Sequence, residues 1–140
     1  MTALTTASVA EAIDLLVLER GPDYVYPAEE AGGCYYSFED GTPACLVGAV
    51  VAKLDPAAFQ KLVELEAPND DGNGGIHRMK AGGVRAGTAN NQENYLFFCY
   101  VEVTAPPRVR KALAEAQKAQ DVGRTWAEAR NEFVTALRES

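Results

Sequence analysis

Residues 33–56 read GCYYSFEDGTPACLVGAVVAKLDP, and the second half of that stretch sets the fold class. Its opening, CYYSF, is aromatic and suits extended backbone, and EDGTP is turn chemistry, so Cys34 and Cys45 are placed on either side of a turn. The run that follows, Ala44 to Leu54, supports two readings. Val47, Val50 and Val51 suit a buried strand, whereas the length and the small residues Ala44, Gly48, Ala49 and Ala52 suit a buried helix packed closely on a neighbour. The helix is the reading taken here. Asp55 and Pro56 then supply an N-cap and a first-turn proline for a separate helix over about Pro56 to Glu66. Phe59, Leu62, Val63 and Leu65 lie on or near its apolar side.

Working outward, Ser8 and Glu11 have the spacing of a capping box, and Val9, Ala12, Ile13, Leu16 and Val17 recur at helical steps, so a first helix is expected over about Ser8 to Glu19. Gly21 and Pro22 stop it. DYVYP, residues 23–27, is strand-like but brief. Toward the C-terminus Pro106 and Pro107 open a helix with Val109, Ala112, Leu113 and Ala116 on one stripe, closed by Gly123. Thr125 and Glu128 repeat the capping-box spacing ahead of a last helix whose inner face is Trp126, Ala129, Phe133, Val134 and Leu137. The expected class is α+β: about four to five helices packed on a small sheet, with a C-terminal helical hairpin.

Between these halves, residues 67–94 hold most of the glycine and asparagine and little that builds a core, and are read as a long excursion from a single domain of residues 1–140. Arg78, Lys80 and Arg85, with His77, form a basic island there. Tyr95 to Val103, YLFFCYVEV, is the strongest strand signal, apolar on both faces except near Glu102. It is expected at the centre of the sheet. Such a strand needs either a covering helix or a second copy beside it, and a homodimer using these aromatics or the Trp126 helix is the expectation.

Thirteen basic against twenty acidic residues give a net charge of −7, which argues against direct binding to nucleic-acid phosphates. With a hydrophobic fraction of 47% and a charged fraction of 24%, the composition is that of a globular domain. The N-terminus lacks the pattern of a secretory leader and no apolar run approaches the ~20 residues that span a bilayer, so a cytoplasmic protein without membrane contact is expected. In a reducing compartment Cys34, Cys45 and Cys99 are expected as thiols packed in the manner of small hydrophobes.

Two segments, YVYP followed by GCYYSFEDGTPACLVGAVVAKLD (24–27 and 33–55) and ALAEAQKAQDVGRTWAEA (112–129), resemble a family of small proteins of actinobacteria and actinobacteriophages. Cys34, Cys45, Gly48, the Gln117–Gln120–Asp121 cluster and Trp126 match its recurrent pattern. The resemblance implies a cytoplasmic accessory protein, of host, phage or prophage origin, and brings no catalytic residues.

The residues that carry chemistry are weighed against plainer roles. Three cysteines and His77 equal a Cys₃His zinc set in number, but Cys34 and Cys45 are too far apart for one metal knuckle and Cys99 falls in a strand, so no metal or cofactor is expected. A cysteine nucleophile would need His77, which lies in the excursion. GGVRAGT (82–88) lacks the lysine that meets nucleotide phosphates. Gln117, Gln120 and Asp121 present amides and a carboxylate within one turn, either to a ligand or to a helix end. Trp126 is read as an interface anchor or as a clasp between the last two helices. The leading expectation is a non-enzymatic interaction or regulatory protein meeting a host or phage protein, with Arg78, Lys80, Arg85, Gln117, Gln120, Asp121 and Trp126 as the candidate binding residues. The alternatives are a small-molecule-binding protein or enzyme with a polar pocket near Tyr35, Asp40, Gln117 and Asp121, and an acidic mimic of nucleic acid.

Overall fold

The computed structural model describes residues 2–27, 35–66, 68–70, 76–78 and 102–139. In chain order they form β1 (Thr2–Ala3), α1 (Thr6–Arg20), α2 (Leu46–Leu54), α3 (Pro56–Glu66), β2 (Pro68–Asp70), β3 (Ile76–Arg78), β4 (Val103–Thr104), α4 (Pro107–Asp121) and α5 (Trp126–Glu139). The molecule is mainly helical with a small sheet, and α4 and α5 form the C-terminal helical hairpin.

The ambiguous stretch is a helix, and a central one: α2 packs against α1, α3 and α4. Leu46, Val47, Gly48, Ala49, Val50 and Val51 are all buried, as expected of a helix enclosed on every side and not just along one stripe. The turn before it is a short hairpin, in which the Ser37 and Pro43 backbones pair and Gly41 takes the left-handed φ of 85° that closes the bend. Asp55 caps α3, its Oδ1 accepting the Ala58 N–H at 3.1 Å, and Pro56 opens the helix. The Thr2 hydroxyl and then the Ala58 N–H hold the Asp55 carboxyl below the ordinary aspartate range.

The first helix begins earlier than the Ser8–Glu11 spacing implies. Thr5 is the N-cap, and the reciprocal box is Thr5 with Ser8: the Ser8 N–H donates to Thr5 Oγ1 at 3.0 Å and the Thr5 N–H to Ser8 Oγ at 2.9 Å. Glu11 takes no part because a closer hydroxyl already occupies the position its carboxylate would reach. Gly21, with φ 98°, ends α1 as read. Residues 24–27 of the DYVYP segment lie in no strand. The Thr125–Glu128 box at α5 is present in both directions, each at 3.1 Å. That bond lowers the Glu128 pKa, through the Thr125 N–H first. Val134 is half-buried, outside the inner face of α5.

The sheet departs most from expectation. β4 pairs parallel with the N-terminal β1, Thr2 opposite Val103 and Ala3 opposite Thr104. Glu102 has a left-handed φ of 58°, so the expected strand cannot run unbroken through it into Val103; Lys61 holds the Glu102 carboxylate at 3.0 Å. Tyr95 to Val101 lie outside the described residues. Within the glycine-rich excursion, where no regular structure was expected, Pro68–Asp70 and Ile76–Arg78 form an antiparallel ladder with Asn69 opposite His77.

Candidate functional site

Four backbone N–H groups at the start of an α-helix lack helical partners. At α2 each of them finds one. The Cys45 N–H donates to the Tyr35 carbonyl at 3.1 Å, the Leu46 N–H to Gln120 Oε1 at 2.7 Å, the Val47 N–H to Gln117 Oε1 at 3.2 Å, and the Gly48 N–H to Cys45 Sγ at 3.4 Å. Cys45 is thus the N-cap residue, buried, with its sulfur as an acceptor. The two glutamines are buried on α4, and their Nε2 atoms both donate to Asp121 Oδ1 at 2.9 Å. The carboxylate therefore orients both amides, oxygen toward α2, and adds a negative charge near the positive end of its dipole.

The hairpin that leads into this end is held from a second side. Glu66, the buried last residue of α3, accepts the Tyr36 N–H on Oε2 at 2.9 Å and the Ser37 N–H and hydroxyl on Oε1, both at 2.8 Å. Gly48 lies directly against the other side: a Cβ there would fall on the Tyr36 carbonyl, 2.9 Å from its carbon. The hairpin backbone is clamped between α2 and α3, and no side chain larger than hydrogen fits at Gly48. The Gly48 reading from sequence is borne out by this close approach.

The residues expected to line a polar pocket are each engaged in holding the fold. Asp40 closes its own turn, Oδ1 accepting the Thr42 N–H at 3.0 Å and the Thr42 hydroxyl at 2.6 Å. Tyr35 is buried, with its N–H donating to the Tyr26 hydroxyl at 3.3 Å, and Tyr26 stacks on Phe38. Gln117 and Asp121 lie beneath α2. Of the described cavities, none is lined by these four residues.

Trp126 is a clasp that reaches beyond the last two helices. Its ring meets Tyr24 edge-on at 4.8 Å, its backbone N–H donates to the Tyr24 carbonyl at 2.9 Å, and the Arg20 guanidinium lies 5.2 Å from the Tyr24 ring centre and 5.4 Å from that of Trp126. It fastens the start of α5 to the end of α1 and the segment after it. Burial raises the Tyr24 pKa against the opposing pull of Arg20. Trp126 Nε1 is buried, with no hydrogen-bond partner among the described residues.

Of the basic island, Arg78 lies on β3 opposite Pro68, and Lys80 and Arg85 fall outside the described residues. So do Cys34 and Cys99. Glu66 is the residue the sequence reading missed. Its signal was its position, one turn beyond Leu62 on the apolar stripe of α3. The same signal marks Gln117 and Gln120, one turn beyond Leu113 and Ala116: a polar residue at a core position of a helix has a partner waiting for it.

Two of the concavities among the described residues adjoin α1. A cleft of about 610 Å³ opens at the start of α1, walled by Leu4, Thr5, Thr6, Thr104, Ala105 and Pro106, with hydroxyls but no titratable side chain in its lining. A smaller groove of about 290 Å³ runs between α1 and α2 at Glu11, Ala12, Leu15, Lys53 and Leu54. Among the described residues no helix is long and apolar enough to cross a membrane, and no three His, Cys, Asp or Glu side chains cluster as metal ligands. In comparison with protein-family models, curated proteins and solved structures, no match is found.

Proposed function

We propose that this chain is a non-enzymatic interaction protein, a regulatory or accessory factor that works by contacting another protein. The observation that carries the reading is a division of labour. Gln117, Gln120 and Glu66, the polar groups best placed to receive a ligand, are buried and engaged in holding α2 and its hairpin. The outer face of α1, by contrast, leaves Leu18 79% and Leu15 42% exposed. Single exposed apolar residues are ordinary, but two within one turn beside a groove suit a contact surface. The resemblance of residues 24–27, 33–55 and 112–129 to actinobacterial and phage proteins suggests a host or phage protein as the partner.

The test is affinity capture from actinobacterial lysate with the full chain and with a chain lacking residues 69–92. A partner retained at a fixed ratio by the full chain supports the reading, and its loss on deletion assigns the contact to the basic excursion. Capture of no partner under either condition sinks the interaction reading. The cleft at the start of α1 favours a second reading, a small-molecule-binding protein. Its apolar walls and hydroxyls suit binding, and its lining offers no group for acid–base catalysis. A neutral ligand copurifying in that cleft would favour it.

A further inference from the structure

We infer that the outer face of α1 and its groove with α2 dock a basic amphipathic helix, an assignment that rests on the interaction reading above and gives the partner its chemistry. Glu11, Leu15 and Leu18 recur at four- and three-residue steps and so form one stripe, on the side of α1 away from the buried Val9, Ile13 and Leu16. A surface helix normally keeps its apolar residues on one face, and α1 has them on two. The groove beside Leu15, floored by Ala12 and Leu54, receives a side chain from an apposed helix.

Charge selects the occupant. Lys53, the cation in the groove, is already paired with Glu19 at 2.6 Å, and Asp14 is paired with Arg130 at 2.8 Å. Glu11 has no ion-pair partner among the described residues, so the stripe presents a carboxylate and two leucines in a chain of net charge −7. A second copy would bring the same carboxylate and the same net charge against it, and an anionic lipid surface would be repelled likewise. The complement is apolar at helical spacing and flanked by lysine or arginine.

The probe is a synthetic, fluorescently labelled helix-forming peptide with leucine at i, i+3, i+4 and i+7 and lysine on its other face. Its controls carry glutamate for lysine, or the same residues in scrambled order. Binding to the full chain is read by anisotropy at low and raised salt. The lysine peptide is expected to bind at least about tenfold more tightly than either control. The double variant Leu15→Ser, Leu18→Ser is expected to lose at least about tenfold in affinity with its thermal midpoint unchanged, since both side chains are exposed. Glu11→Gln should weaken binding a few-fold and flatten its salt dependence. Equal binding of the scrambled peptide, or unchanged affinity in the double variant, overturns the proposal. So does a dimer in sedimentation that the double variant abolishes, because a second copy is then the occupant. A lysate partner retained by that variant removes this surface while leaving the interaction reading standing.

Discussion

The N-termini of α1 and α2 solve one problem in opposite ways. At α1 the unpaired amides are met by Thr5 and Ser8, three residues apart in sequence and open to solvent. At α2 two of the four are met by side chains 70 and 74 residues distant, on a helix packed from elsewhere, in a buried setting, beside the local Cys45 sulfur and the Tyr35 carbonyl. A cap at the surface competes with water and is worth about 1 kcal/mol. A cap in the interior has no water to replace it, so its loss costs the full desolvation of the stranded group. The lesson is that the start of α2 is completed only in the assembled core, while α1 brings its own cap.

The contrast breaks most severely at Gly48. Gly48→Ala puts a methyl group into the Tyr36 carbonyl and forces the hairpin off the first turn of α2. An expected loss of about 4 kcal/mol in urea unfolding follows, at the large end for a single substitution. A loss below about 1 kcal/mol would mean that the hairpin is not clamped.

Next come the remote caps. Gln120→Ala strands the Leu46 N–H and removes one donor from Asp121, for an expected cost of about 2–3 kcal/mol. Gln117→Ala, at the longer bond, should cost about 1–2 kcal/mol. Because both amides share Asp121, the double variant should depart from additivity by about 0.5 kcal/mol or more in a cycle of denaturation measurements. Strict additivity would show two independent caps and not one assembly.

Thr5→Ala measures the local solution, with an expected cost of about 1 kcal/mol. The prediction that sharpens the comparison is the ratio: Gln120→Ala should cost at least about twice Thr5→Ala. Equal costs would mean that burial adds nothing to a cap.

The smallest effect is the pH dependence of the α3 cap. The Asp55 carboxyl is held below its ordinary value, first by the Thr2 hydroxyl and then by the Ala58 N–H. A carboxyl with a lowered folded pKa stabilises the protein above its unfolded value, and that contribution is lost as pH falls through the folded one. The difference in thermal midpoint between the chain and its Asp55→Ala variant should therefore be present at neutral pH and shrink below about pH 4. The partly solvated setting keeps it small. A difference independent of pH would assign the cap to a dipole the neutral acid supplies equally well.

The helices were legible in the sequence because their signals are local. Apolar residues at helical spacing, Asp55–Pro56, Gly21, Gly123 and the Thr125–Glu128 box act within one turn of the residues they organise, and each is found where it was read. Thr5 was overlooked for Ser8 because two hydroxyls at capping distance compete and only backbone geometry chooses between them. Two features belong to the tertiary structure alone. The parallel pairing of Thr2–Ala3 with Val103–Thr104 joins segments about a hundred residues apart, and short strands carry too little pattern to announce a partner. The clamp of Glu66, Gly48 and the Gln117–Gln120 pair around the hairpin and α2 likewise forms from three chain regions that no sequence spacing relates. The sequence favoured a buried helix with small residues on it within Ala44 to Leu54, and Leu46–Leu54 is that helix. What those small residues approach, and why buried glutamines stand on an apolar stripe, was decided only when packing brought an unpaired helix end against them, because hydrogen-bond satisfaction in an interior is a property of the assembled neighbours.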